Sequence, residues 1–214
     1  MPLDRKIVID AALSLLDEVG LEALTLRRLG EKLGVQAPAI YWHFSSKQEL
    51  LDEMATSVMR EEAGRHGKKA SLPWKAWLNW YGKSLRRALL GHRDGARMVS
   101  GTRLTDPALY ESMEAALGKL AAAGFSLYEA TVILATVYSY VVGFVIEEQA
   151  VFPEAGRKDE AYEIENRSRR MNPDRTPLAI EAGSYLFTKF DRRFNSGLEL
   201  IISGVVSQKA VGKR

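Results

Sequence analysis

The chain has 214 residues, 46% of them hydrophobic, which excludes wholesale disorder and allows one large domain or a small one plus a medium one. It contains no cysteine, which excludes a disulfide framework, thiolate metal sites and a cysteine nucleophile, and suits a reducing cytoplasm. The formal charge of +3 is a weak pointer to an anionic partner, and residues 1–50 hold six bases against seven acids, so nucleic-acid binding there would depend on where charge is placed.

The N-terminal stretch MPLDRKIVIDAALSLLDEVG carries acids among its apolar residues and no small-residue cleavage pattern, so it reads as helix rather than as a signal peptide. Ile7, Ile9, Ala12, Leu13, Leu15 and Leu16 recur near a 3.6 period, and Gly20 is a natural stop. In TLRRLGEKLG, Thr25 suits an N-cap, Leu26, Leu29 and Leu33 share a face, and Gly34 supplies the left-handed residue of a tight turn. Pro38 then sits in the first turn of a short helix ending near Phe44. Ser46 to Glu49 fits a capping box that opens a helix through about Glu62.

The basic, glycine-rich segment 64–73 reads as a connector. After it, Trp74, Trp77, Tyr81, Leu85 and Ala88 form one apolar stripe. A short piece, HRDGARMVSGTR, follows; Asp106-Pro107 then starts a helix with Leu109, Tyr110, Met113, Ala116, Leu117 and Leu120 inward, stopping at Gly124. Ser126 and Glu129 make a second capping box for a long apolar helix. Its seventeen uncharged residues, Ala130 to Ile146, touch the lower edge of a membrane-spanning length, but three hydroxyl-bearing residues, two tyrosines and the adjacent Glu147 favour a helix buried on most sides, with no membrane partner. Residues 153–177 are polar and proline-marked and are expected as a mobile loop or partly disordered excursion with one helical turn; helices at 177–187 and 190–207 close the chain. No period-2 strand pattern and no internal repeat is found, so the fold class is all-α, with a small helical unit over 1–62 and a larger one over 63–214.

Helix, tight turn at Gly34 and short second helix form the layout of a helix-turn-helix. Ile40 and Phe44 share one face and can turn inward onto Leu29 and Leu33, while Tyr41 lies about 100° around the axis. Over residues 11–51, with LGV, a proline, a Tyr-x-His-Phe run and a lysine opening the next helix, the chain resembles the tetracycline-repressor (TetR) family of transcriptional regulators. The resemblance implies a cytoplasmic homodimer whose two recognition helices enter successive major grooves of a palindromic double-stranded operator. On that reading Tyr41 and Lys47 meet phosphates, His43 a phosphate or sugar, and Arg27 a base edge or the backbone. Gln36, Ala37, Pro38 and Ala39 lead the recognition helix, Ala37 and Ala39 giving apolar contact only. Ala37 cannot cap this helix, which would leave backbone N–H groups for a phosphate. Trp42 divides between DNA contact and a brace on the first helix, and Arg28 is expected to partner a nearby acid.

HRDGARMVSGTR, residues 124–149 and residues 194–205 resemble the ligand domain of tetracycline repressors. This implies a dimer built from the long helix and the last helix, and an effector bound between the segments near 74–117 and the long helix. The departures matter as much. Val99 stands where those repressors use a histidine on the drug-bound magnesium, and their polar drug contacts fall on Ala63, Tyr81 and Ala116 here, whereas Thr102, Arg103 and Glu147 are retained. A small-molecule effector other than tetracycline–magnesium is therefore expected, with no cofactor and no metal, and with Leu85, Val99, Thr102, Arg103, Met113, Leu117, Tyr140 and Glu147 as ligand-binding residues. Catalysis finds no support: the three histidines are His43, His66 and His92, no Gly-x-Ser-x-Gly turn is present, and no strand precedes a glycine-rich loop. The competing readings are an activator and a helical interaction module without DNA affinity.

Overall fold

In the computed structural model, which describes residues 4–66, 69–154 and 156–211, the described residues form eleven α-helices and no strand. The N-terminal head consists of α1 (Arg5–Ala23), α2 (Leu26–Leu33), α3 (Ala37–Tyr41) and the first half of α4 (Lys47–Ala63). Asp4 starts α1 by accepting the Lys6 amide at 2.7 Å. The helix breaks at Gly20, whose φ of 77° is free of strain only without a Cβ. Thr25 caps α2 by accepting the Arg28 amide at 3.2 Å, and Gly34, at φ 68°, ends it. Val8, Leu15 and Leu16 of α1, Leu29 of α2, Ile40 and Phe44 at α3, and Leu50 and Met54 of α4 fill the core of this head.

Two local details differ from expectation. The second helix of the pair ends at Tyr41, after five residues, although the Phe44 amide still bonds to the Ile40 carbonyl at 3.0 Å. In α4 the Glu49 amide donates to Ser46 Oγ at 3.1 Å, but the Glu49 carboxylate reaches one residue further back, accepting the Ser45 amide and hydroxyl at 2.7 Å each. The expected reciprocal box is therefore shared between two serines.

The larger unit comprises α5 (Trp74–Leu90), α6 (Gly95–Ser100), α7 (Ala108–Ala122), α8 (Leu127–Val151), α9 (Ile164–Ser168), α10 (Pro177–Leu186) and α11 (Phe190–Val211). Its axis is α8, which opens with the full Ser126–Glu129 capping box and packs against α5, α6, α7 and α11. Its most apolar eighteen-residue window has a mean hydropathy of 1.8, the composition of a membrane span, yet the helix also carries buried Glu148, which takes a fork of two bonds from Arg86 at 2.6 and 2.9 Å. The expectation that this helix is buried on most sides needs correcting: 39% of its most apolar window is buried, and one flank faces outward in the single chain. Tyr110 and Met113 of α7, expected inward, are exposed. Residues 153–177 hold more structure than a loop with one turn, namely a 3-10 turn at Glu160–Tyr162 followed by α9.

Candidate nucleic-acid interface and ligand cavity

The α2–α3 pair separates two surfaces. Ile40 and Phe44 are fully buried against the head's core, as their four-residue spacing requires. Tyr41 is 56% exposed and Trp42 88%, so the Trp42 ring stands free rather than bracing α1. Gln36 and Pro38 are exposed beside them and Ala39 partly so. The cap position of α3 belongs to Gln36, not Ala37, and its side chain makes no capping bond.

All six bases of the head are engaged within the chain. Arg5 pairs with Glu49 and Glu53 at 3.3 Å, Lys6 with Asp10 at 2.7 Å, Arg27 with Glu31 at 3.0 Å, and Lys32 with Glu18. Arg28 donates to the Ala23 carbonyl at 3.2 Å rather than to an acid, and Lys47 Nζ donates to the Leu21 carbonyl at 3.0 Å. The Arg27–Glu31 pair is the most open, with side chains 86% and 60% exposed, and such solvated pairs exchange readily for another anion. His43 is half-buried; its carbonyl accepts from Arg5 Nη1 at 2.6 Å, and the Arg5 guanidinium lies 4.5 Å above the Phe44 ring. Arg5 thus fastens the exit of α3 to α4.

Two sets of bonds join the head to the larger unit. At the α5–α6 turn, Asp94 accepts the Leu21 amide at 2.9 Å, and Asp17 accepts the Arg93 amide at 2.9 Å and faces His92 Nδ1 at 3.1 Å. Along α4 runs the strap 101–106. Gln48 donates to the Gly101 carbonyl at 3.3 Å, the Arg103 amide to Asp52 at 3.0 Å, the Thr105 amide to Thr56 Oγ1 at 2.9 Å, and Arg60 to Asp106 at 2.5 Å.

Where α4 ends, a largely apolar cavity of about 370 Å³ opens between α4, α5, α7 and α8, a volume suited to a drug-sized molecule. Met59, Glu62, Tyr81, Leu117, Leu134 and Tyr138 are among its walls. Burial first, then Tyr138 and Glu62, push the Tyr81 phenol far above its ordinary range, so it stays protonated and can donate a hydrogen bond. Ala63, Tyr81 and Ala116, the positions aligned by resemblance with polar drug contacts, all line this cavity.

Of the expected ligand-binding residues, Met113 and Leu117 lie in the wall. Thr102 and Arg103 belong to the strap, where Thr102 Oγ1 donates to the Val99 carbonyl at 3.0 Å. Leu85 and Val99 are buried in the core. Tyr140 donates to the Phe194 carbonyl at 2.9 Å, between α8 and α11. Glu147 is exposed and borders a separate depression with Tyr162, Phe187 and Arg193. Sequence reasoning passed over Glu62 and His66, although Glu62 falls four residues after buried Val58 and eight after buried Met54, where the apolar face of α4 should continue.

A resident magnesium ion wants several oxygen ligands in near-octahedral order. The cavity offers Glu62 and Asp106, the second engaged by Arg60, and Val99 carries no donor. Among the described residues no group of three or more His, Asp or Glu side chains converges. These residues do not fit a metal centre.

The sequence pattern described as "Bacterial regulatory proteins, tetR family" matches residues 8–54, and that of the "Tetracyclin repressor-like, C-terminal domain" matches residues 68–208. The chain is 39% identical over 204 residues to the tetracycline repressor protein class A from transposon 1721 of Escherichia coli, covering 95% of this chain and 91% of that one. The crystal structure of a possible TetR family transcriptional regulator from Streptomyces coelicolor superposes with a TM-score of 0.84 at 33% identity, over 95% of this chain and 99% of the other. TetR (class A) in complex with 5a,6-anhydrotetracycline and magnesium superposes with a TM-score of 0.70 at 34% identity, over 96% and 99%.

Proposed function

Because the chain belongs to the TetR family of bacterial transcriptional regulators, we propose that it is a cytoplasmic repressor that binds a palindromic operator as a homodimer and leaves it when a small organic effector fills the cavity. The observation that carries this reading is α4. It is capped by Ser46 beside the recognition element and ends in the cavity wall at Met59, Glu62 and Ala63. Its 17 residues span roughly 25 Å at about 1.5 Å per residue. The strap 101–106 is bonded along its length, and Leu104 and Asp106 of that strap also border the cavity. An effector that wedges α7 from α4 would pull on the strap and tilt α4, and with it the head. Binding at one site then biases the other through one rigid element.

At the DNA, Tyr41, Trp42, Gln36, Pro38, Ala37 and Ala39 would form the contacting face, with Arg27 trading Glu31 for a phosphate or a base edge. Lys47 and His43 support that face through Leu21 and Arg5 as well as offering donors to the backbone. The effector is expected to bind without a resident metal, unlike the class A complex with 5a,6-anhydrotetracycline and magnesium.

The test is fluorescence anisotropy on the DNA upstream of the protein's own gene, at moderate salt and with scrambled competitor. Specific binding near about 10⁻⁸ M or tighter is expected. No preference over scrambled DNA would instead favour an interaction module. Tetracycline with magnesium should leave the complex intact, and clean release would overturn the metal-free reading.

A further inference from the structure

The apolar wall does not account for the floor of the cavity. There Glu62 is 1% exposed. Its Oε2 accepts from Ser84 Oγ at 2.9 Å and from Arg65 Nη1 at 3.5 Å. Its Oε1 has no hydrogen-bond partner among the described residues. His66 Nε2 stands 3.6 Å from that oxygen, beyond hydrogen-bond reach, and neither ring nitrogen of His66 has a partner among the described residues. The His66 ring is held edge-on by Trp77, Trp80 and Tyr81, with centroids at 6.1, 5.5 and 5.6 Å.

Three buried polar atoms without partners around one cavity form an incomplete hydrogen-bond set. A buried carboxylate oxygen left bare is costly, and folding alone gains nothing from it. Ser84 fixes the carboxylate so that Oε1 is the oxygen left without a partner, and a carboxylate oxygen favours a charged donor over a neutral one. We propose that the effector is a flat, mostly apolar amine whose protonated nitrogen binds Glu62 Oε1, with its rings against Tyr81, Leu117 and Tyr138. This rests on the cavity being the effector site.

Three anthracene probes that differ only in the head group test it on the full-length protein: 9-(aminomethyl)anthracene, 9-anthracenemethanol and anthracene-9-carboxylate. Quenching of tryptophan fluorescence reads each Kd. The amine should bind at least about tenfold more tightly than the alcohol, and the carboxylate weakest. Glu62→Gln should bring the amine to the alcohol's affinity and leave the alcohol within about twofold. The ranking on the unmodified protein decides the matter even if Glu62→Gln fails to fold. Equal affinity for all three probes, each lost on filling the cavity with Ala135→Trp, overturns the role of Glu62 and leaves the effector cavity standing. A preference for the amine that survives Glu62→Gln overturns it likewise. Binding of no probe, or binding untouched by Ala135→Trp, overturns both readings.

Discussion

Ile40 is fully buried while Tyr41, the next residue, is 56% exposed, because one step of about 100° carries a side chain from the core face of α3 to its open face. That division was legible in the sequence, since Ile40 and Phe44 stand one turn apart and only one such pair can face Leu29. It gives a sharp expectation for Tyr41→Ala. Operator affinity should fall about tenfold or more, equally for operator variants, because a phosphate contact carries no sequence information. The thermal midpoint should stay put, since the ring supports no core packing; anisotropy and a melting curve on the same sample check both. A fall in midpoint like that of a Phe44→Ala variant, where about 3–5 kcal/mol is at stake, would place Tyr41 in the core instead. Lys47 was not legible in the same way. Its charge suggests a phosphate contact, but the carbonyl of Leu21 that it meets is presented by the break at Gly20, twenty-seven residues earlier in the chain. A contact made by a backbone kink leaves no periodic trace.

At the scale of elements, α4 joins the two sites, and its first turn is tunable by pH. The Ser45 hydroxyl, then the Ser45 amide and Arg5, hold the Glu49 carboxyl below its usual range. A carboxylate whose pKa is lower folded than unfolded stabilises fully above the unfolded value, about 4.3, and that stabilisation is lost as pH falls through it toward the folded value. Glu49→Gln should therefore melt below the unmodified protein at pH 7, with the gap closing by about pH 3. A gap unchanged across that range would mean that the glutamine loses packing rather than charge. The cavity shows where periodicity stops being informative. Spacing marks Tyr110, Met113 and Leu117 as the apolar face of α7, and Leu117 does sit half-buried in the cavity wall. Yet Tyr110 and Met113 border an opening instead of protein, because a 3.6 period identifies an apolar face without saying whether it meets side chains or a void. That choice depends on how α4, α7 and α8 splay, which is set by contacts far apart in sequence. For the same reason Leu85 and Val99, expected in the wall, are buried in the core, and Tyr140 bonds across to α11, so none of the three lines the cavity.

The whole molecule carries a surface that a single chain leaves open. On α8 the exposed positions Val132, Thr136, Ser139 and Gly143 follow one another at helical spacing, and on α11 so do Ser196, Leu200, Ser203, Gly204 and Ser207. Leu200 is 75% exposed, which is unusual for the middle of a long helix packed on its other face. A Cβ added at Gly143 or Gly204 would meet nothing within 4 Å in the single chain. A side chain can therefore start from either position without meeting a neighbour in its own subunit, and replacing a helical glycine with leucine should favour the helix by about 0.5–1 kcal/mol. Against a second copy the same bulk would keep the small-residue stripes from closing. Gly204→Leu and Gly143→Leu should thus retain full helicity and an unimpaired head while turning the proposed dimer into monomers, as read by light scattering at matched concentration. Operator affinity should collapse with the dimer, because a palindrome rewards two heads held together and a lone head gains only half of the contacts. Dimers that persist in both variants, with operator binding intact, would move the subunit interface away from α8 and α11 and end this account of how two heads are set a fixed distance apart.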